Sequence, residues 1–266
     1  MPFSTNNGVR LHWESEGDGS PILLVMGHTY SSAMWYPVVP ALAAGHRVIR
    51  FDNRGTGKSD TTRHVTVQQL ADDAIAVMDA AGIRKAHVFG VSMGGVIVLD
   101  LAMRHPERVT SLIVGCSGML TADKPRAPAI VRLLYHLPKG LLKRLVTPRR
   151  ADKGYGIAAT VDAIATDMAA IDNDTYTKRG VIAQAEAIAN YTTTRDAVAK
   201  LTVPSLVLHG DQDLLVPIAW GEELAQTLPN SSFVRFEGAG HNFLIARGDE
   251  AIAVVLEFVQ RVDEAA

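Results

Sequence analysis

The stretch "FGVSMGG", residues 89–95, holds the pattern Gly-x-Ser-x-Gly in Gly90, Ser92 and Gly94. It continues the apolar run "AHVFGV", which is typical of a buried strand, into "MGGVIVLDLAMR", which predicts a helix that ends before Pro106. A strand that turns directly into a helix strains the backbone at the turn and exposes that side chain, while small neighbours let the two elements approach. The pattern therefore predicts Ser92 as a nucleophile, and its position between a strand and a helix disfavours the alternative of a Gly-Ser turn without function.

The rest of the chain alternates short apolar runs with helical segments, a pattern typical of a mostly parallel central sheet with helices on both faces. For a chain of 266 residues we expect one α/β core, formed by residues 1–117 and 201–266. The runs "VRLHWESE" and "PILLVM", joined by Gly-Asp-Gly, predict a hairpin that makes the first edge of the sheet antiparallel. Thr66 and Gln69 predict a capping box for a helix that ends near Gly82.

Between residues 118 and 200 the strand-like runs disappear and helical stretches replace them. We expect this interval to be an inserted helical lid, or cap domain. Its leucines would either roof an apolar pocket or pack against the core, and the sequence leaves both roles open. They are Leu133, Leu134, Leu137, Leu141, Leu142 and Leu145.

Composition and charge argue against several classes of protein. The formal net charge is −2 with both signs interspersed, which does not favour a nucleic-acid or membrane partner. Cys116 is the only cysteine, so the chain has no internal disulfide, and the start "MPFSTNNGVR" lacks the pattern of a signal peptide. The apolar runs are far shorter than the roughly 20 residues of a membrane-spanning helix. We therefore expect a cytoplasmic protein, with a homodimer left open as its assembly.

A serine hydroxyl is a weak nucleophile and needs a histidine base and an orienting acid, in the chain order serine, acid, histidine. The segment "DQDLLVP" follows the strand "SLVLHG" and offers Asp211 and Asp213 as candidates for the acid. Of nine histidines, His241 lies in the glycine-framed loop "EGAGHNF" after the last strand, where its imidazole can reach Ser92. We expect His209 to be a packed, hydrogen-bonded histidine. No histidine shares metal-ligand spacing with another or with the cysteine, so we expect no metal.

Two backbone amides are candidates for an oxyanion hole. One belongs to Met93, at the start of the helix after the serine, where amides lack helical partners. The other belongs to His28, in the loop "GHTYSSAMW" after the strand "PILLVM". Gly27 allows that loop to approach the serine, and the imidazole of His28 either lines the pocket or packs.

The loop "DNRGTGKSD", residues 52–60, ends like a phosphate-binding loop but departs from it in two ways. Asp52 occupies the position that requires glycine, and its carboxylate would repel a phosphate. The next helix begins only after Thr66, so no helix N-terminus would face a phosphate bound in this loop. We expect neither nucleotide binding nor another cofactor.

Together these residues resemble the α/β-hydrolase superfamily, in its lid-bearing branch of small esterases, lactonases, cofactor-free haloperoxidases and carbon-carbon bond hydrolases. The resemblance covers nearly the whole chain. Its Gly-x-x-Asp-x-x-x-Pro pattern matches Gly210, Asp213 and Pro217, and this match favours Asp213 over Asp211 as the acid. The catalytic histidine of the family follows a glycine, as His241 does here.

The resemblance also bears on the two loops near the predicted site. Met26 replaces the histidine that usually precedes the glycine of the oxyanion loop, which leaves the backbone donor intact but makes the entrance more apolar. The loop 52–60 is similar to the family's Asp-x-Arg-Gly-x-Gly-x-Ser scaffold loop, which implies that Lys58 is a surface charge. The residues expected to line the substrate pocket are Gly27, Thr29, Trp35, Cys116 and Leu134.

The resemblance implies a serine hydrolase that cleaves a small, largely apolar carboxylic ester or lactone. Ser92 would form the acyl-enzyme, His241 would move the proton and Asp213 would orient the imidazole. Two alternatives stay open. The same triad serves thioester, carbon-carbon bond or peracid chemistry in other members, and some proteins of this fold bind a small ligand as receptors.

Overall fold

A computed structural model describes residues 2–125 and 154–265 of the chain. Within these ranges eight strands form one sheet in the order β1-β2-β4-β3-β5-β6-β7-β8. The pairs β1/β2 and β2/β4 are antiparallel and all other neighbours are parallel, so the predicted mostly parallel sheet is confirmed. The strands are β1 Phe3–Asn6, β2 Val9–Glu16, β3 Pro21–Val25, β4 Arg47–Phe51, β5 Ala86–Val91, β6 Val109–Gly115, β7 Ser205–Gly210 and β8 Ser231–Phe236.

The hairpin predicted between β2 and β3 is wrong, although both strands exist. β2 pairs with β4 in antiparallel register, with Trp13 opposite Phe51, while β3 pairs with the other side of β4, with Leu23 beside Ile49. The continuous apolar sequence of β3 explains this position, because a strand covered on both faces belongs in the centre of a parallel sheet. The antiparallel edge is instead formed by β1 and β2.

The Gly-Asp-Gly connection between β2 and β3 therefore passes the start of β4. Gly17 and Gly19 have φ values of +75° and +117°. A Cβ atom at Gly17 would lie 2.3 Å from the carbonyl oxygen of His46, and one at Gly19 would lie 2.5 Å from that of Gly45. The glycines thus allow this connection to cross closely over the chain that leads into β4. The same sequence is also compatible with a hairpin turn.

Helices cover both faces of the sheet, as predicted. Helix α2 begins with the predicted capping box, in which the side chain of Thr66 accepts from the amide of Gln69 at 3.1 Å and the Gln69 side chain accepts from the amide of Thr66 at 3.0 Å. The α-helices of the described ranges include α1 Val39–Leu42, α2 Val67–Ala80, α3 Met93–Arg104, α4 Val161–Asn173, α5 Lys178–Asn190, α6 Arg195–Val198, α7 Ile218–Thr227, α8 Phe243–Ala246 and α9 Gly248–Glu264.

The sheet separates two apolar layers. In β3, Leu23 and Val25 join the layer that contains buried side chains of α2 and α3, while Ile22 and Leu24 join the layer of α1 and α9. This alternation follows from the two-residue period of a strand. Burying a side chain of this size stabilises the fold by about 1.5–3 kcal/mol. The central strands, which carry the predicted site at their carboxyl ends, are therefore held from both sides.

The interval 118–200 contains the helices α4, α5 and α6 between β6 and β7. Helix α4 begins at Val161, after Thr160, whose side chain accepts from the amide of Ala163 at 3.2 Å. The leucines at positions 133–145, including the predicted pocket residue Leu134, lie outside the described residues. The division of the chain into a core and a lid stays a prediction. Among the described residues, no helix combines the length and apolar character needed to cross a membrane.

The loop 52–60 is held together by the side chain of Asp52. One carboxylate oxygen accepts from the amide and the hydroxyl of Ser32 at 2.8 and 2.7 Å, and the other accepts from the amide of Lys58 at 2.9 Å. A Cβ atom at Gly57 would fall 2.1 Å from this carboxylate. The side chain of Lys58 is exposed. These contacts fit a scaffold loop rather than a phosphate cradle.

The same loop is joined to its neighbours by buried contacts. The guanidinium of Arg54 donates to both carboxylate oxygens of Asp73 on α2, at 2.5 and 2.6 Å. Burial raises the pKa of the Asp73 carboxyl, an effect that the hydrogen bonds from Arg54 partly offset. On the other side, Gly55 touches α5, since a Cβ atom at Gly55 would lie 2.3 Å from the Cα atom of Gly180.

Replacing Arg54 by methionine is expected to lower the free energy of unfolding by about 3–5 kcal/mol, because it leaves the buried Asp73 carboxylate without its cationic partner and with only Asn6 as a side-chain donor. Lys58→Ala, in the same loop, is the matched control and is expected to change stability by less than about 0.5 kcal/mol. Urea denaturation of the three proteins measures both values. Equal midpoints for Arg54→Met and Lys58→Ala would contradict this account of the loop.

Candidate active site

Ser92 lies at the turn between β5 and α3, where the pattern of residues 89–95 predicts it. Its φ and ψ are +54° and −120°, a conformation that costs a non-glycine residue free energy and is held only by strong surroundings. A Cβ atom at Gly90 would lie 2.2 Å from the carbonyl oxygen of Gly94, and one at Gly94 would lie 2.0 Å from that of Val25. Both glycines are therefore needed for α3 to approach the two strands.

The structure brings Ser92, His241 and Asp213 into one hydrogen-bonded chain. The Nε2 atom of His241 lies 3.0 Å from the Ser92 hydroxyl, and its Nδ1 atom lies 2.7 Å from a carboxylate oxygen of Asp213. A carboxylate can only accept, so Nδ1 carries the proton and Nε2 offers its lone pair to the serine hydroxyl. Ser92 and His241 are partly exposed, whereas Asp213 is buried.

The carboxylate of Asp213 is surrounded by donors. One oxygen accepts from the amides of Leu215 and Val216 at 2.8 and 2.9 Å, and the oxygen that faces His241 also lies 3.3 Å from Nε2 of His209. Burial alone would raise the pKa of Asp213, but the hydrogen bonds from His209 and His241 outweigh it and hold that pKa well below its usual range. The group is therefore an anion at neutral pH, able to orient an imidazole.

Asp211 and His209, which lie close to Asp213 in the sequence, also have hydrogen-bond partners. Asp211 accepts from the amide of Gly238 at 2.8 Å and from the guanidinium of Arg235 at 3.0 Å, and so supports the loop that leads to His241. His209 is fully buried, and its Nε2 atom lies 3.0 Å from the carbonyl oxygen of Val216. Its packed position is as predicted, but its contact with Asp213 is not. The four-residue spacing of the two at the end of β7 is the signal for that contact.

The candidate oxyanion loop lies directly against the serine. A Cβ atom at Gly27 would come within 3.2 Å of the Cβ atom of Ser92, and Met93 is the first residue of α3. The imidazole of His28 is packed, since its Nε2 atom lies 2.9 Å from the carbonyl oxygen of Val181 on α5. Burial lowers the pKa of His28, which favours the neutral ring that donates to this carbonyl.

The structure places the other predicted pocket residues in different surroundings. Thr29 is half-buried and has a φ of +83°. Trp35 has no exposed surface and lies against Phe89, with ring centroids 5.0 Å apart. Cys116 is also buried, and burial together with the nearby Asp213 raises the pKa of its thiol. Trp35 and Cys116 both belong to the apolar layer of α1 and α9, and their part in a substrate pocket stays a prediction.

No group of three or more histidine, cysteine, aspartate or glutamate side chains in residues 2–125 and 154–265 is arranged to hold a metal ion.

Comparison with known proteins gives the family. The family model described as "alpha/beta hydrolase fold" matches residues 20–247. A putative carbamate hydrolase, RutD, from Azorhizobium caulinodans is 30% identical over an alignment that covers 99% of this chain and 100% of that protein. The chain therefore belongs to the α/β-hydrolase family.

Solved structures agree with this assignment. The enol-lactonase from Burkholderia xenovorans LB400 superimposes with a TM-score of 0.84 at 28% identity, covering 97% of this chain and 100% of that one. A thermophilic esterase from Thermogutta terrifontis gives a TM-score of 0.83 at 26% identity, with 97% of each chain covered. The predicted fold and the predicted enzyme class, an α/β-hydrolase, are confirmed.

Gly94→Ala is expected to lower the free energy of unfolding by about 3 kcal/mol or more, because the added methyl group collides with the backbone of β3 rather than with a side chain that can move. Gly45→Ala is the control, since a Cβ atom there would meet nothing within 4 Å. Urea denaturation and the yield of folded protein measure the difference. A stable Gly94→Ala protein would mean that α3 does not require this approach.

Proposed function

We propose that the protein is a serine hydrolase that cleaves small, largely apolar carboxylic esters or lactones through an acyl-enzyme. The observation that carries the proposal is the hydrogen-bonded chain from Ser92 through His241 to Asp213, with distances of 3.0 and 2.7 Å. A serine on a strained turn, joined to a histidine and a buried carboxylate, is an activated nucleophile.

In the first half of the reaction, the hydroxyl of Ser92 attacks the substrate carbonyl while Nε2 of His241 takes its proton. The imidazolium that forms is stabilised by the carboxylate of Asp213, which stays ionised. His241 then gives the proton to the departing alcohol, and the acyl group remains on Ser92. Water repeats the sequence, with His241 again as the base, and releases the acid.

The tetrahedral intermediate of each half carries a negative oxygen. We assign its stabilisation to the amides of Met93 and His28, which flank Ser92 from α3 and from the loop after β3. A donor of this kind contributes about 100-fold to 1000-fold to the rate, because it interacts with charge that develops only in the transition state. The closeness of Gly27 to Ser92 supports the assignment of the loop.

Apolar side chains near the acid support an apolar substrate. Leu214 and Leu215 follow Asp213 and are 69% and 67% exposed, while Ile157, whose amide donates to the side chain of Gln212 at 3.1 Å, is 84% exposed. We infer that these exposed aliphatic side chains, which follow the acid in the chain or are bonded to its loop, contact the acyl chain or lactone ring of the substrate. They disfavour a strongly charged substrate.

The named activities of the relatives cover more than one type of acyl group. The relatives include a putative carbamate hydrolase, an enol-lactonase and an esterase, so a carbamate is a further candidate substrate. All three contain a carbonyl that a serine can attack with the same stabilisation of the oxyanion. The competing functions are thioester, carbon-carbon bond or peracid chemistry on this triad, and a receptor that binds a small ligand without turnover.

Ser92→Ala is expected to lower kcat for p-nitrophenyl butyrate by at least about 1000-fold, because it removes the nucleophile, while the folded state is kept. Steady-state kinetics and circular dichroism measure the two effects. A mutant with wild-type turnover would show that Ser92 is not the nucleophile.

Asp213→Asn is expected to cost about 1000-fold or more in kcat, since the amide cannot hold the imidazole in the same tautomer. Asp211→Asn is its matched control, two residues away, and is expected to cost far less because it keeps an oxygen for the amide of Gly238. Steady-state kinetics of both variants measure the difference, and the opposite ranking would exchange their roles.

A kinetic screen of esters, lactones, carbamates and thioesters of graded acyl size, with Ser92→Ala as the blank, is expected to give the highest kcat/KM for small apolar esters or lactones. Turnover of many equivalents distinguishes an enzyme from a receptor, which would bind a ligand with at most slow conversion. If carbamates or thioesters instead gave the highest kcat/KM, the proposed substrate class would be wrong and that class would take its place.

A further inference from the structure

We propose that Gln184, on α5, is a positioning residue that sets the backbone of the oxyanion loop, defined as residues 27–31. The inference rests on the proposed function, because it concerns the loop to which one oxyanion donor, the amide of His28, is assigned. Gln184 lies outside the sheet and contributes through its contacts with this loop.

Gln184 is fully buried, and both ends of its side-chain amide are used. Its Oε1 atom accepts from the amide of Thr29 at 3.1 Å, and its Nε2 atom donates to the carbonyl oxygen of Arg54 at 2.9 Å. Because one partner is a donor and the other an acceptor, the oxygen of the amide must face the loop of Thr29 and the nitrogen must face the loop of Arg54. An amide is costly to bury unless it is paired at both ends, so this orientation is strongly favoured over the flipped one.

The partner on the oxyanion loop needs such a constraint. Thr29 has a φ of +83°, a region that a β-branched residue rarely adopts. A residue in such a conformation persists only when its surroundings hold it there. The bond from the Thr29 amide to Gln184 fixes the plane of the peptide that follows His28, and thus the course of the chain next to the proposed donor.

Other hydrogen bonds join the oxyanion loop to the same segment of the chain as Gln184. The carbonyl of Val181, three residues before Gln184 on α5, binds the imidazole of His28 at 2.9 Å. At the far end of the loop, the amide and hydroxyl of Ser31 donate to Asp174 at 2.9 and 2.5 Å. The side chain of His28, the backbone of Thr29 and the end of the loop are therefore all fixed by residues 174–184.

The second bond of Gln184 connects the loop to the rigid part of the fold. Arg54, whose carbonyl accepts from Gln184, is bound through its side chain to Asp73 on α2. Gln184 thus spans from the oxyanion loop to a loop anchored on the core, rather than to another part of α5. A side chain that binds two separate loops at fixed distances sets their relative position.

This placement predicts a particular kinetic effect. The negative oxygen forms in the transition state and tetrahedral intermediate but is absent from the bound substrate, so a displaced donor destabilises the transition state without weakening substrate binding. Displacement of a catalytic group by about 1 Å costs up to about 100-fold in rate. Loss of Gln184 should therefore lower kcat and leave KM nearly unchanged.

The test compares Gln184→Met, which keeps the length of the side chain without its polar ends, with Tyr191→Phe. The control also removes one buried hydrogen bond, from the hydroxyl of Tyr191, the residue after α5, to Asp100 at 3.0 Å, but away from the oxyanion loop. With p-nitrophenyl butyrate, Gln184→Met is expected to lose about 10-fold to 100-fold in kcat with KM within about threefold of wild type. Tyr191→Phe is expected to keep kcat within about twofold.

A second measurement uses phenylboronic acid, whose adduct with Ser92 is tetrahedral and places an oxygen in the oxyanion hole. Its inhibition constant is expected to rise about as much as kcat falls in Gln184→Met, and to stay unchanged in Tyr191→Phe. Equal kcat in the two variants, a loss expressed only in KM, or an unchanged inhibition constant in Gln184→Met would overturn the inference.

Gln184→Glu keeps the test decisive if Gln184→Met does not fold, because a carboxyl buried here without a cation is neutral and so both accepts from the Thr29 amide and donates to the carbonyl of Arg54. It is expected to keep kcat within about threefold of wild type, and a larger loss would overturn the role given to that bond. Wild-type protein and Ser92→Ala separate the two proposals. If the wild-type protein shows no turnover that is lost in Ser92→Ala, the proposed function is overturned. If it shows such turnover and Gln184→Met keeps the full kcat, only the inference about Gln184 is overturned.

Discussion

The close approach of α3 to strands β3 and β5 is the constraint on which the rest of the site depends. It is possible only because residues 90 and 94 lack a Cβ atom, which would lie 2.2 and 2.0 Å from main-chain oxygens. The approach forces Ser92 into its strained conformation and sets the start of α3 beside its hydroxyl. Ser92, the start of α3 and the neighbouring strand thus acquire fixed positions from one packing contact, independently of the groups that bond to the serine.

The remaining groups reach the serine from separate parts of the chain, and each is held by its own structure. The carboxylate of Asp213 is fixed by two amides of its own loop, and the histidine loop is supported by Asp211 through Gly238. The loop after β3 is supported from α5. Such independent supports are the means by which a protein orders polar groups before the substrate arrives, so that little reorganisation accompanies the reaction.

The sequence predicted those features whose physical cause is local. The turn at Ser92 follows from the spacing of two glycines between a strand and a helix, and the start of α2 from the pairing of Thr66 with Gln69. Features set by distant packing escaped prediction: the sequence cannot tell whether a glycine-rich connection makes a hairpin or crosses another strand. For the same reason, the burial of Trp35 and the two-sided bonding of Gln184 required coordinates.

The contact between Gly55 and Gly180 has a consequence for how this protein can vary. The two main chains touch without side chains between them, so a larger residue at either position displaces the other segment as a whole. Substitutions in residues 52–60 and in α5 are therefore not independent, although more than a hundred residues separate the two in sequence. A chimera that takes α5 from a relative must therefore take the matching loop with it.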